Sequence, residues 1–196
     1  DPDLVKYRVV GDDPTGELKA RALRIGQHMS YQLLDEDQAW EEQHDRLLIN
    51  VPIVGCAFKK TYYSGEAGHN VSELVLAQDL VLDYYAKSVE STSRKTHVIP
   101  LTRNDIYSGI HSGIYCDVSR ESWYTQVAVP ETGPTTARQN TRDGQDTPAS
   151  DEDTPFTTLE QHCLLDLDGD GYREPYIVTI EASSKCVLRI VTRFDS

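Results

Sequence analysis

Basic residues are scarce. Nineteen Lys and Arg stand against 32 Asp and Glu in 196 residues, a formal net charge of -13 and a pI of about 4.8. That balance excludes a free-standing nucleic-acid clamp, which draws its affinity from surplus cations. It leaves room for a protein that lets DNA pass without gripping it. Apolar runs are short as well: the longest, 47–53 and 74–82, are broken by Asn50, Pro52, Gln78 and Asp79. Nothing approaches the roughly 18–20 apolar residues of a membrane span. No GxxxxGK[ST] or GxGxxG segment occurs, which leaves a nucleotide pocket without support. The six histidines (His28, His44, His69, His97, His111, His162) form no HExxH and no close pair, an argument against zinc chemistry. Cys56, Cys116, Cys163 and Cys186 include no CxxC and are too widely spaced for a small disulfide scaffold, so buried, reduced thiols are expected. Asp1, Pro2 and Asp3 carry the wrong charge for the start of a signal peptide, and the first residue is not Met. The missing Met reads as a piece excised from a longer protein.

What remains is enough for one or two domains, with a hydrophobic share of 38% and a mean hydropathy of -0.50 that place part of the chain in loops. Tyr7, Val9 and Val10 suggest a short strand. Leu18, Ala22, Ile25, Met29 and Leu33 then recur every three or four residues, which predicts a helix with one buried stripe, N-capped by Asp13 or Thr15 and favoured by Glu17 in its first turn. Trp40, His44, Leu47, Leu48 and Val51 predict a second helix, ended by Pro52 and Gly55. Joined near 35–37, the two make a helical hairpin over a sheet.

From Cys56 the period changes to two. Residues 56–63 and 71–76 read as strands around a turn at 64–68, with further strands at 80–85 and 96–101. Thr102 and the residues after it look like a cap and a short helix ending near Gly109 or Gly113. Residues 130–155 are rich in Pro, Thr, Gly, Asp and Gln and read as a mobile polar insertion. Segments 159–167, 175–181 and 187–194 predict a β-meander. The expected fold is α+β: an N-terminal helical hairpin packed on mainly antiparallel strands, with a C-terminal meander. Its regions are 1–129, the insertion 130–155, and the meander 156–196 of the same domain.

The sharpest local motif lies at 166–174, DLDGDGYRE. Carboxylates of Asp166, Asp168, Asp170 and Glu174, with the Tyr172 carbonyl at position seven, are oxygen donors at the spacing a Ca²⁺ ion requires. Gly171 permits the turn that folds them inward. Ile177 stands where an EF-hand has its bidentate Glu, and strand patterns flank the loop, so the segment resembles instead the calcium hairpins of integrin-type propeller blades. The plainer reading is a tight turn with solvated acids. Elsewhere, Gly109-Ile110-His111-Ser112-Gly113 has its Ser one place late for a nucleophile elbow and reads better as a helix-ending loop. Lys59 and Lys60 beside Tyr62 and Tyr63 mix basic and aromatic residues as a nucleic-acid strand does, but in so acidic a chain an edge strand is the better account. The Asn70-Val71-Ser72 sequon is a chance match without secretion.

Four segments in order, 46–63 (RLLINVPIVGCAFKKTYY), 71–81 (VSELVLAQDLV), 96–106 (THVIPLTRNDI), and 159–162 (LEQH) through 175–180 (PYIVTI), resemble the portal proteins of short-tailed bacteriophages. The resemblance implies the outer, wing-like part of a subunit in a ring, usually of twelve, at one capsid vertex. It implies other portal subunits, the terminase large subunit, a tail adaptor, and capsid and scaffold proteins as partners. Double-stranded DNA would pass without sequence-specific binding. It further implies location in the virion after assembly in the host bacterial cytoplasm, no membrane, no catalytic residue and no required cofactor. The alternative from the residues alone is a calcium-dependent binding module built on the aspartate hairpin.

Overall fold

The computed structural model describes residues 4–65, 67–129, 138, 141–142, 144 and 150–194. The chain is mixed α+β: helices lead, antiparallel sheets follow, and two shorter helices lie between the fourth and fifth strands. It divides into two compact units, Asp1–Ala77 and Gln78–Ser196, a boundary inside the 1–129 stretch that the sequence presents as one region. The 130–155 insertion lies mostly outside the described residues.

In the first unit the strand expected through Tyr7, Val9 and Val10 does not form. This segment lies along a helix instead of a sheet edge: Val5 N–H donates to Ser30 Oγ at 3.0 Å, and the Tyr7 ring abuts Gly26. That helix, α1 (Glu17–Tyr31), is N-capped by Gly16, with Glu17 in the first turn as expected. Neither predicted residue occupies the cap position, yet Asp13 takes over its task. Its carboxylate accepts the Lys19 N–H at 2.9 Å, one of the donors a helix start leaves without a partner. A π-helical turn (Gln32–Glu36) leads to α2 (Trp40–Val54). Pro52 sits inside α2 rather than ending it, because its fixed φ suits a helix and only one donor is lost in the last turn. Gly55 ends the helix at φ 89°, its N–H bonded to Val51 O at 2.8 Å.

Strands β1 (Phe58–Ser64) and β2 (His69–Val75) pair antiparallel, from Phe58↔Val75 to Ser64↔His69. Helix α2 lies on β2. Two side chains take amides of that strand: the buried Asp37 carboxylate accepts Ser72 N–H at 3.1 Å, and Gln43 Oε1 accepts Leu74 N–H at 3.0 Å. An edge that would otherwise recruit another strand is thereby closed.

The second unit holds a five-stranded antiparallel sheet in chain order: β3 (Leu80–Leu82), β4 (Lys95–Leu101), β5 (Phe156–Leu165), β6 (Glu174–Glu181) and β7 (Val187–Thr192). Helix α3 (Arg103–His111) starts from a capping box: Thr102 Oγ1 accepts the Asp105 N–H while Asp105 Oδ2 accepts the Thr102 N–H at 2.8 Å. A short helix α4 (Ser122–Thr125) follows. Ile106, Val118, Tyr124, Ala128, Phe156 and Leu188 form the core, with the Trp123 ring edge-on to Phe156 at 5.3 Å.

Candidate functional site

The stripe predicted to bury α1 does not do so. Leu18, Ile25 and Met29 share one face, yet Ile25 is 50% exposed and only Gly26 and Ser30 are buried on this helix. Helix α2 has no buried residue, and its Ile49 and Ile53 are 62% and 76% exposed. Val75 is the buried apolar side chain of this unit among the described residues. Scattered surface apolar residues are ordinary; here they stand at helical spacing on two successive helices.

Where α2 meets the hairpin, polar and aromatic groups are packed together. Trp40 and His44, one turn apart, stack at 4.9 Å with 8° between their planes, and Lys59 Nζ sits 4.5 Å from the Trp40 ring centre. Desolvation lowers the Lys59 ammonium's pKa, against the opposing pull of Asp37. His44 Nδ1 is buried without a partner. Lys60 lies 5.2 Å from the Tyr62 ring and 4.0 Å from Glu73. Both lysines are thus turned toward their own unit rather than offered as a phosphate-binding row. The pairing of Trp40 with His44 was legible in their four-residue spacing; the arrival of Lys59 over them was not, because it depends on how β1 crosses the helix.

In the second unit the structure gathers three of the four carboxylates of the acidic hairpin. Carboxylate oxygens of Asp166, Asp168 and Asp170 lie within 4.8 Å of one another, all exposed. Asp166 Oδ1 accepts Gly169 N–H at 2.7 Å and Oδ2 accepts Gly171 N–H at 3.0 Å; Asp170 Oδ1 accepts Tyr172 N–H at 2.6 Å. Desolvation pushes the Asp166 pKa up, but the hydrogen bonds from Gly169, Gly171, Asp168 and Asp170 together hold it below its ordinary value. Gly169 and Gly171, at φ 78° and 90°, supply the left-handed turns that aim these amides inward. Glu174 is outside the group: it opens β6, and its Oε2 accepts the Tyr176 hydroxyl at 2.8 Å. The Tyr172 N–H is tied to Asp170, and its side chain is exposed. Three carboxylates in that radius match the ligand spread around a Ca²⁺ ion, so the donor set fits in part.

His111 and Ser112 do not form a nucleophile and base. The His111 ring stacks on Tyr107, while the Ser112 hydroxyl donates to Gly109 O at 3.2 Å. The cysteines differ from expectation: Cys56 and Cys116 are exposed, Cys163 and Cys186 half-buried, and all four are free thiols. Cys56 and Cys116 lie in connections between elements, where little packs over a side chain. No family model matches the chain, and no curated protein matches it.

Proposed function

We propose that the chain is a structural part of a bacteriophage portal ring, the wing-like region of a longer subunit, serving capsid assembly, DNA packaging and DNA ejection without chemistry of its own. The observation that carries this reading is the pair of uncovered apolar stripes on α1 and α2. A unit with so little apolar burial forgoes about 25 cal/mol for every Å² left in water, and a neighbouring subunit restores it. The ordered resemblance of the four segments is what points this reading to a portal ring. Terminase, tail adaptor, capsid and scaffold proteins then meet the subunit's other surfaces. The surplus of negative charge keeps passing DNA from being held, with a reach of about 8 Å at physiological salt.

The test is the oligomeric state of the full-length subunit. Rings are expected by negative-stain microscopy, and Ile25→Asp with Ile49→Asp should abolish them. Because both residues stand in solvent in the single chain, the pair should change its unfolding free energy by only about 0.5 kcal/mol per site. A subunit that stays monomeric, or rings indifferent to both charges, would overturn the reading.

A second reading is favoured by the clustered carboxylates: a Ca²⁺-dependent binding module, with Asp166, Asp168 and Asp170 as first ligands and the Tyr172 carbonyl and Glu174 completing the set after Glu174 releases Tyr176. Three like charges in so small a space repel unless a cation joins them. With millimolar Ca²⁺ the melting temperature of the second unit should rise by about 3–5 °C over the value in chelator, and Asp168→Ala should remove the difference. Superimposable curves would reject it.

A further inference from the structure

Two thiols, 70 positions apart in sequence, converge on one carbonyl oxygen. Cys116 Sγ lies 3.3 Å from Val187 O, and Cys186 Sγ lies 4.0 Å from the same atom. Those distances hold the sulfurs within roughly 7 Å of each other, and a change of χ1 rotamer moves a sulfur by about 3 Å. The Cys116 thiol also donates to Leu188 O at 2.7 Å, a weak bond that such a rotation gives up. Both backbones are fixed. Cys116 N–H donates to Leu188 O at 2.8 Å, and the residues before it are tied down by Ile114 and Tyr115 N–H groups on Gly109 O. The Tyr115 ring fills the space that a Cβ on Gly109 would need, which anchors the loop further. On the other side, Cys186 O accepts Glu181 N–H at 2.9 Å and Cys186 N–H donates to Ser184 Oγ at 3.1 Å. Only side-chain torsions are left to adjust. Cys116 is exposed and open to a reagent from solvent, whereas Cys186 is half-buried beside it.

We propose that Cys116 and Cys186 are a redox pair that closes to a disulfide when the chain meets a low-molecular-weight disulfide, stapling the 112–121 loop to the turn that leads into β7. The Cys116 thiolate attacks one sulfur of glutathione disulfide and expels the first glutathione thiolate. The Cys186 thiolate then attacks the Cys116 sulfur of the mixed disulfide and expels the second. The protein loses two electrons and two protons, and the oxidant becomes two molecules of glutathione. This proposal is independent of the portal reading.

The full chain, incubated with glutathione disulfide, quenched in acid, alkylated and cut with trypsin, should yield peptide 104–120 joined to peptide 186–189, two hydrogens lighter than the separate pair. Dithiothreitol should return both alkylatable thiols. The melting temperature should rise by about 5 °C on oxidation, since a bridge closing so long a loop restricts the unfolded chain. Cys116→Ser and Cys186→Ser should each abolish the joined peptide and the shift, and Cys163→Ser neither. If Cys116 and Cys186 carry only glutathione or alkyl groups, or if Cys116 links as readily to Cys56 or Cys163, the proposal fails. Because the peptide readout uses the unaltered chain, it decides the matter even where a serine variant does not fold.

Discussion

Truncating Leu188 to Ala is expected to lower the unfolding free energy of the second unit by about 3–4 kcal/mol, and Ile106→Ala by a similar amount. Both side chains are fully buried, and they meet in one cluster with Val118, Tyr124, Ala128 and Phe156. Leu188 enters from β7 and Ile106 from α3, so each truncation opens a void between helix and sheet rather than at a rim that can collapse. Trp123 reports on this event because its ring rests on Phe156. Urea titrations followed by its fluorescence, in a Trp40→Phe background that silences the first unit, should show the midpoint fall with an unchanged slope. Ile49→Ala on α2 is the control: the side chain is largely in solvent and should cost under about 0.5 kcal/mol. A Leu188→Ala cost below about 1 kcal/mol would mean that this cluster is not the core.

The same contrast separates what the sequence carries from what it cannot. Alternation placed the strands because a pleated strand with one covered face must alternate. The stretches read at 56–63, 71–76 and 96–101 became β1, β2 and β4 with shifts of one or two residues. The C-terminal meander and the cap at Thr102 were legible for equally local reasons. The spacing of Asp166, Asp168 and Asp170 put their carboxylates on one tight turn, and glycines at 169 and 171 permit the left-handed conformations that fold it. Periodicity also marked the apolar stripe of α1, but it tells which residues share a face, not whether anything lies on it. Leu18, Ile25 and Met29 stand uncovered for that reason. The strand expected at Tyr7 failed because a strand needs a partner edge, and Gly26 on α1 offered a flat place to lie instead. Pairs that meet across the chain, such as Cys116 with the Val187 carbonyl, leave no local signal at all. Glu181 was overlooked, although a Glu followed closely by Ser183 and Ser184 is a turn signal that could have been read.

Replacing Glu181 by Gln should cost the second unit about 1.5–2 kcal/mol at neutral pH and remove part of its acid sensitivity. Glu181 ends β6 and is only 2% exposed, an expensive place for a carboxylate unless it is fully bonded. Its Oε1 accepts the Ser183 N–H at 3.0 Å and the Ser183 hydroxyl at 2.8 Å; Oε2 accepts the Ser184 N–H at 2.6 Å and the Ser184 hydroxyl. An amide replaces one of those acceptor oxygens with a donor; the serine hydroxyl there can turn to accept, but the backbone N–H beside it is left unmatched. The bonds also hold a turn in which Lys185 takes φ 60°, a left-handed conformation that a side chain adopts only at some cost. Burial pushes the Glu181 pKa up, but the Ser184 and Ser183 bonds prevail and set it below the ordinary 4.5. A folded value below the unfolded one means the carboxylate's stabilisation is fully present above about pH 5. It drains away as the pH falls through the ordinary value toward the depressed folded one. Unfolding free energy measured between pH 6 and pH 3 should therefore drop more steeply in the native chain than in Glu181→Gln, and the two curves should converge in acid. Parallel curves would show that the carboxylate contributes no net charge-dependent stability, and the turn would then owe its shape to the β6–β7 ladder alone.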